Sequence, residues 1–368
     1  LPLLPQDLPM AIPEILLDLH RRLGARLEPD GSRVISYADQ DREYWALREG
    51  CGLYERSAHG LLRLTGGERL DFVQRMVTND VVKLAEGRAT YAALLNTQGK
   101  MLADLRLLKR SGELLVDLLP GLAEPVAAWL DRYVISEDVQ IEDLSARWAL
   151  HSYLGPRAHQ ALLSAVPSAG GPLAEGELRE LESGAVLLLG TRTGTLPGVD
   201  LFASPERARE LAEAACARFP ELLPVGFEAL EIARIEEGQP RYGQDMTEET
   251  LPLEAGLERA ISYDKGCYLG QEVIARATYR GMVRRKLAGL SFADGALPEP
   301  GTQLFKEGVE GKAAAEVTSA ARSPRFGVIA LGYVRREHLA PGTELATAQG
   351  RKAQVSALPF EHGAAASG

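Results

Sequence analysis

The sequence contains the run Lys265-Gly266-Cys267-Tyr268-Leu269-Gly270-Gln271-Glu272, followed by Ala275-Arg276 and Tyr279-Arg280-Gly281. Within seventeen residues it places a thiol, an amine, two carboxyl or amide groups and two guanidinium groups, and five of the residues are Gly or Ala. Small residues allow a backbone to approach a ligand or another element closely. Because Lys265 lies two residues before Cys267, we expect its charge to lower the pKa of the thiol. The alternative is a structural turn with an inert, buried cysteine.

This run resembles the K-G-C-Y-x-G-Q-E-x-x-A-R-x-x-Y-R-G motif of the YgfZ family, and every fixed position is matched. That family consists of folate-binding proteins related to the T-protein, the aminomethyltransferase of glycine cleavage. Further stretches resemble the same superfamily, namely residues 43–48, 52–57, 78–81, 95–105, 236–245 and 252–257. The resemblance implies an α+β fold, with a T-protein-like folate-binding region of two or three subdomains around a central cavity and a C-terminal β-barrel.

The spacing of apolar runs and turns along the sequence favours a similar division into two domains. Residues 283–368 contain short apolar runs between Pro/Gly turns, a pattern typical of a small all-β sandwich or barrel. We therefore place a domain boundary near residue 283, between a folate-binding region at 1–282 and a β-barrel domain at 283–368. Upstream, hydrophobic periodicity predicts helices at 41–50, 68–77, 125–133, 205–219 and 226–236, and strands at 61–65, 91–95, 101–108, 114–119 and 186–190.

The composition is that of an ordinary soluble globular protein, with 45% apolar and 25% charged residues among 368. A formal net charge of −10 argues against general electrostatic binding of nucleic acid. Residues 259–286 are locally basic, which suits a small polyanion or, equally, a solvated charged face. The 3 cysteines and 6 histidines show no metal-ligand spacing, so we expect no metal site and a reducing, cytoplasmic location. No stretch approaches the ~20 apolar residues of a membrane span, and we expect a monomer.

Asp104 is the first carboxylate that the resemblance singles out. T-proteins carry two consecutive aspartates here, one of which orients the folate and the aminomethyl carrier, whereas this chain has Ala103-Asp104. Aspartate is unfavourable within a strand, so its presence there is notable. Buried beside a pterin, it can polarise a ring nitrogen or act as a base. The alternative is a side chain on the solvent face of the strand.

Further folate contacts are implied by the resemblance. Asp200 corresponds loosely to a T-protein glutamate that recognises the pterin, and a carboxylate can accept two parallel N–H bonds. Arg241 and Arg276 can hold a carboxylate such as the glutamate tail of folate, or can pair with nearby acids. The predicted catalytic residues are Cys267, Asp104 and Lys265, and the predicted folate-binding residues are Asn96, Asp104, Asp200, Arg241, Tyr242, Gln271, Glu272 and Arg276.

The resemblance implies a protein that binds tetrahydrofolate or a one-carbon derivative and supports assembly or repair of iron–sulfur proteins, with a link to tRNA modification. Its expected partners are folate and iron–sulfur proteins or their assembly factors, without membrane or direct nucleic-acid binding. The alternative is a folate-dependent aminomethyl- or methyltransferase of the T-protein type. A scaffold that has the fold but no ligand is a third interpretation. Folate titration together with an assay of one-carbon transfer distinguishes the three.

Overall fold

The computed structural model of the chain describes residues 11–37, 39–279, 283–307 and 311–361. By the contacts between its residues, the chain divides into two compact units. The first, here called the N-terminal unit, comprises Leu1–Thr97, Leu102–Leu230 and Arg259–Gln271, and the second, the barrel unit, comprises Gln98–Met101, Glu231–Glu258 and Glu272–Gly368. The barrel unit thus includes Gln98–Met101, Glu231–Glu258 and the start of its last segment, all of which lie before the domain boundary expected near residue 283. Arg280 and Gly281 of the opening run lie outside the described residues.

Two of the helices begin at capping side chains. The carboxylate of Asp39 accepts hydrogen bonds from the backbone N–H groups of Asp41 and Arg42, and the hydroxyl of Ser204 accepts one from Arg207. Such caps satisfy N–H groups that have no partner within the helix. Within the described residues the helices are α1 (Glu14–Arg22), α2 (Gln40–Glu49), α3 (Arg69–Met76), α4 (Ala123–Asp131), α5 (Ala158–Ala165), α6 (Pro205–Arg218), α7 (Phe227–Glu236) and α8 (Gln271–Tyr279). None of the described helices is long and apolar enough to cross a membrane.

The strands of the N-terminal unit form a two-stranded ribbon and two larger sheets. They are β1 (Arg26–Leu27), β2 (Val34–Ser36), β3 (Cys51–Glu55), β4 (Gly60–Thr65), β5 (Arg88–Leu95), β6 (Met101–Arg110), β7 (Glu113–Leu118), β8 (Gln140–Asp143), β9 (Ala149–Leu154), β10 (Leu178–Leu181), β11 (Val186–Thr193), β12 (Leu196–Ala203) and β13 (Leu222–Val225). The large sheet has the order β10-β11-β12-β9-β3-β13, and the small sheet has the order β5-β6-β7-β4-β8.

The large sheet has an apolar core on each of its faces. On one face, residues of β3, β9 and β12 pack with residues of α1, α5 and α6. On the other face, leucines of the large sheet pack against leucines of the small sheet, including Leu187 and Leu189 opposite Leu108 and Leu115. The two sheets therefore face each other, and polar residues that point into this interface meet across it.

The barrel unit contains a six-stranded antiparallel sheet with its own core. Its strands are β14 (Arg285–Phe292), β15 (Gln303–Leu304), β16 (Ala315–Ser323), β17 (Gly327–Arg335), β18 (Glu344–Ala346) and β19 (Lys352–Ser356), in the order β15-β16-β17-β14-β19-β18. The two edge strands are joined by an antiparallel bridge between Phe305 and Ala346, whose N–H and C=O groups exchange hydrogen bonds of 2.7 and 2.9 Å. This bridge nearly closes the sheet into a barrel and confirms the predicted β fold after residue 283.

The predicted helices and strands are present, and the helix ends differ from the prediction by at most two residues. The sequence analysis missed β9 and β12, which lie side by side in the middle of the large sheet. Pro197-Gly198 has the composition of a turn, yet it lies near the start of β12, where a proline is tolerated. Ser152 lies on β9, and Asp200 lies on β12.

Candidate functional site

Asp104 lies on β6 of the small sheet, where it contacts a tyrosine of β5. The phenolic hydroxyl of Tyr91 donates a hydrogen bond of 2.9 Å to Oδ2 of Asp104. The guanidinium of Arg259 lies 5.2 Å from the centre of the Tyr91 ring, a distance at which a cation is attracted to the ring face. Two strands and the segment before the KGCY run therefore meet at the pair formed by Tyr91 and Asp104.

The other carboxyl oxygen of Asp104 has no hydrogen-bond partner among the described residues. This atom, Oδ1, is buried. Burial raises the pKa of Asp104, and the hydrogen bond from Tyr91 offsets only part of that effect. A buried acceptor without a donor costs about 1–3 kcal/mol. Such a cost in a folded protein points to a donor from outside the chain, either a ligand or a bound water.

Ala103 occupies the position of the other aspartate in the T-protein motif. Adjacent residues of a strand point to opposite faces of the sheet. The Ala103 side chain is fully buried, whereas that of Asp104 is only partly buried. Asp104 is therefore the single carboxylate at positions 103 and 104. It lies on the strand face where Tyr91 forms its hydrogen bond.

Asp200 belongs to a group of polar side chains between the two sheets, here called the inter-sheet cluster. Each sheet contributes a pair of residues that oppose each other on adjacent strands: Asp200 and Ser152 on β12 and β9, and Arg106 and Asp117 on β6 and β7. The members of the cluster are Arg56, His59, Arg106, Asp117, Ser152 and Asp200.

Both carboxylate oxygens of Asp200 accept hydrogen bonds from protein donors. Oδ1 accepts from the hydroxyl of Ser152 at 2.5 Å, while Oδ2 accepts from Nη1 of Arg106 at 2.5 Å and from Nη1 of Arg56 at 3.0 Å. Burial raises the pKa of Asp200, but the two guanidinium groups outweigh this effect and hold the pKa below its ordinary value. Direct recognition of a pterin by Asp200 stays a prediction, and these contacts already engage both of its oxygens.

The positive and negative charges of the inter-sheet cluster are equal in number. Burial and the guanidinium of Arg56 lower the pKa of His59 to about 4, so the imidazole is neutral at pH 7. Asp117 is only 4% exposed and accepts a hydrogen bond of 2.7 Å from Nε of Arg106. Two guanidinium groups thus neutralise two carboxylates. Paired and hydrogen-bonded charges avoid most of the penalty that isolated buried ions incur.

Lys265 binds backbone carbonyls at the end of α3. Its ammonium donates hydrogen bonds of 2.7, 2.7 and 2.8 Å to the carbonyl oxygens of Gln74, Val77 and Asn79. These carbonyls lie at and just after the last turn of α3, where a cation also interacts favourably with the helix dipole. Burial lowers the pKa of Lys265 to about 8. The predicted action of Lys265 on the Cys267 thiol stays a prediction, since the contacts of its ammonium here are to carbonyls.

The thiol of Cys267 is exposed between two anchored neighbours. On one side is buried Lys265, and on the other the N–H of Leu269 donates a hydrogen bond of 3.0 Å to the carbonyl of Arg75. Gln271 opens α8, and its side-chain oxygen accepts a 3.2 Å hydrogen bond from the N–H of Tyr268. The alternative interpretation, a structural turn with an inert, buried cysteine at position 267, is therefore wrong.

The arginines and the glutamate that were predicted to bind folate form ion pairs with other residues of the chain. Arg276 and Glu272 form an exposed ion pair of 2.8 Å on α8. In the barrel unit, Arg241 pairs with Glu231, and the hydroxyl of Tyr242 lies 3.5 Å from the carbonyl oxygen of Met101. Asn96 is partly buried at the end of β5. The folate roles of these residues stay predictions.

Two histidines that appear scattered in the sequence meet at one buried glutamate. Oε2 of Glu55 lies 2.7 Å from Nε2 of His20 and 2.9 Å from Nε2 of His151, and all three side chains are fully buried. Nδ1 of His20 is 2.7 Å from the hydroxyl of Tyr37. The atoms are close enough together to hold a metal ion, although shared hydrogen bonds to one carboxylate oxygen also account for the spacing.

Sequence analysis missed Tyr91, Arg106 and Asp117 as site residues. One signal was available: Asp104 and Arg106 are polar residues two apart, and all their neighbours between Met101 and Leu108 are apolar. Residues i and i+2 of a strand share a face, so this spacing predicts a polar patch. The identity of the opposing residues depends on strand pairing, which the spacing does not reveal.

Comparisons with protein families and known proteins match almost the whole chain. The family described as GCVT N-terminal domain matches residues 16–265, and the glycine cleavage T-protein C-terminal barrel domain matches residues 285–361. A protein named aminomethyltransferase from Symbiobacterium thermophilum is 33% identical over 372 residues, which cover 94% of this chain and 96% of that protein. Another of that name, from Rubrobacter xylanophilus, is 32% identical over 357 residues and covers 94% and 93%.

A solved structure shows the same fold. The crystal structure of glycine cleavage system aminomethyltransferase T from Bartonella henselae matches with a TM-score of 0.86 and 25% identity, over 94% of this chain and 97% of that chain. The expected T-protein fold with a C-terminal barrel is therefore confirmed.

Proposed function

Because this chain belongs to the glycine cleavage T-protein family, we propose that it binds tetrahydrofolate or a one-carbon derivative and transfers an aminomethyl or methyl group. The observation that carries the proposal is the buried Oδ1 of Asp104, which has no hydrogen-bond donor in the described part of the chain. A carboxylate in this state accepts N–H groups strongly, and an amino-pyrimidine ring supplies them in pairs. The open Oδ1 supports a pterin N–H group as its donor.

The neighbours of Asp104 support a defined role for it. Tyr91 donates to Oδ2 and leaves Oδ1 directed to other donors. Burial raises the pKa of Asp104, which brings its proton affinity closer to that of a general acid or base at neutral pH. Asp104 would hold the pterin, and reduced folate would supply the nitrogen that carries the one-carbon group.

The names of the relatives support group transfer. The expected accessory role in iron–sulfur protein assembly or repair, of the YgfZ type, is the second candidate function. Two observations favour it: Ala103 replaces one acid of the T-protein motif, and the KGCY run displays an exposed Cys267. Both candidates require folate binding, so they differ in chemistry rather than in ligand.

Calorimetric titration with tetrahydrofolate, followed by an assay of transfer from an aminomethyl donor, tests the proposal. Binding with turnover supports the transferase, whereas binding without turnover overturns it and leaves the accessory role. Absence of binding excludes both candidates. Complementation by Cys267→Ala then separates them further, because only the accessory role predicts loss of iron–sulfur enzyme activity in cells that lack the native protein.

A further inference from the structure

We propose that Arg106 is a second ligand-binding residue of the Asp104 site, and that Asp117 and Asp200 act through it as positioning residues. This inference rests on the proposed folate binding and names the part of the ligand that is recognised. The four side chains lie in the N-terminal unit, where the two sheets face each other.

Asp104 and Arg106 share one face of β6. The residues on either side of them, Ala103, Leu105 and Leu107, are buried, whereas Asp104 and Arg106 are partly exposed. This alternation follows from the two-residue period of a strand. A ligand bound at Oδ1 of Asp104 therefore lies beside the strand face from which Arg106 projects.

The guanidinium of Arg106 is fixed by two carboxylates. Nε donates to Oδ2 of Asp117 at 2.7 Å, and Nη1 donates to Oδ2 of Asp200 at 2.5 Å. Asp117 and Asp200 are 4% and 1% exposed and come from different sheets. A planar group held at two of its nitrogens has a defined orientation for its remaining N–H groups.

At least one N–H of this guanidinium has no acceptor among the residues that the structure describes. Nη2 lies 2.6 Å from the same Oδ2 of Asp117 that already accepts from Nε, and it has no hydrogen-bond partner of its own among the described residues. Nη2 carries two hydrogens, and at most one of them can face Asp117. Nη2 is also buried. The face of β6 thus presents one buried acceptor, Asp104 Oδ1, and one buried donor, Arg106 Nη2.

A buried acceptor and a buried donor on the same face of one strand are complementary to a ligand edge that carries an N–H next to a carbonyl. The 2-amino-4-oxo ring of a pterin has such a lactam edge, with N–H groups for Asp104 and the 4-oxo oxygen for Arg106. A 2,4-diamino ring places a donor where Arg106 also offers one. We therefore infer that Arg106 makes the site specific for 4-oxo pterins, and that Asp200 contributes without contacting the ring.

The wild-type protein gives the first test. Tetrahydrofolate and its 2,4-diamino analogue are titrated under the same conditions by calorimetry. We expect the 4-oxo ligand to bind at least about tenfold more tightly, because the 4-amino group of the analogue is a donor that faces the Arg106 donor and therefore loses the hydrogen bond to the guanidinium. Equal affinities overturn the inference and leave folate binding intact. If neither ligand binds, the proposed function itself fails, and the inference fails with it.

Two variants then assign the discrimination to Arg106. Arg106→Lys keeps a cation between Asp117 and Asp200 but lacks the planar fork, and Asp200→Asn removes one of the two clamps. Both should reduce the affinity ratio of the two ligands several-fold, whereas a purely structural role would weaken both ligands equally and would overturn the assignment. Arg63→Lys, which alters a surface ion pair with Glu142 on the same sheet, is the control and should leave the ratio unchanged. Melting curves confirm that each variant is folded.

Discussion

Tyr91 and Asp104 form a partly buried hydrogen bond that satisfies one oxygen of the carboxyl group. The hydroxyl donates at 2.9 Å to Oδ2, while Oδ1 has no donor among the described residues. The tyrosine thereby fixes the rotation of the carboxyl group and directs Oδ1 away from itself. The hydrogen bond holds the Asp104 carboxyl group in one orientation and leaves Oδ1 available to accept a hydrogen bond from a ligand.

Substitution of Asp104 should weaken folate binding more than it affects folding. Asp104→Asn replaces a charged acceptor by a neutral amide at Oδ1, so we expect a loss of about 1–3 kcal/mol in binding free energy. Calorimetric titration measures it. Asp71→Asn, on the exposed side of α3, is the control, and an Asp104→Asn variant with wild-type affinity would remove Asp104 from the site.

The buried Glu55 should make the stability of the protein depend on pH. Burial raises the pKa of Glu55, but the imidazoles of His151 and His20 outweigh this effect and hold the pKa well below its usual value. A carboxyl whose pKa is lower in the folded state stabilises the fold above its unfolded pKa, about 4.3, and loses that contribution as the pH falls. Glu55→Gln should therefore unfold more easily at pH 7, by about 1.5–3 kcal/mol.

Chemical denaturation at pH 7 and at pH 3 tests this prediction. The difference between Glu55→Gln and the wild type should be largest at pH 7 and should shrink at pH 3. A difference that is the same at both pH values would show that the charge of Glu55 does not stabilise the fold. His20 and His151 would then contribute only by packing.

Lys265 should stabilise the segment that carries Cys267. Lys265→Met keeps most of the aliphatic volume but removes three hydrogen bonds to carbonyls at the end of α3, which we expect to cost about 1–3 kcal/mol. Hydrogen exchange of the Leu269 amide, which is bonded to Arg75, should become faster. Lys83→Met, a change at an exposed lysine nearby, serves as the control. Unchanged exchange at Leu269 would contradict an anchoring role.

The three cysteines should react with alkylating agents in a defined order. Burial raises the pKa of Cys51 to about 12, and burial also raises the pKa of the partly buried Cys216, so little thiolate forms at either near pH 7. Cys267 is exposed, and we expect it to be labelled first by at least about tenfold. Mass spectrometry of the labelled peptides measures the three rates. Faster labelling of Cys216 than of Cys267 would contradict the exposed placement.

Local sequence determined much of this protein. The 3.6-residue and two-residue periods predicted α2, α3 and the β5–β6 hairpin, because local spacing alone decides which residues share a face. The change to short apolar runs after residue 283 predicted the barrel sheet that begins at Arg285. The KGCY run and its neighbouring motifs led to the T-protein family before any contact was known.

The tertiary structure alone decided which side chains meet. Asp200 and Arg106 are 94 positions apart and touch only because the two sheets face each other. His20 on α1 and His151 on β9 both contact Glu55, although they are 35 and 96 positions away from it in the sequence. Lys265 contacts the end of α3 from nearly 190 positions away. Strand order and sheet stacking set these contacts, and neither is encoded in local spacing. The sequence therefore identified Asp104 as a candidate, and the fold determined which of its oxygens lacks a donor among the described residues and which charged side chains lie on the same strand face.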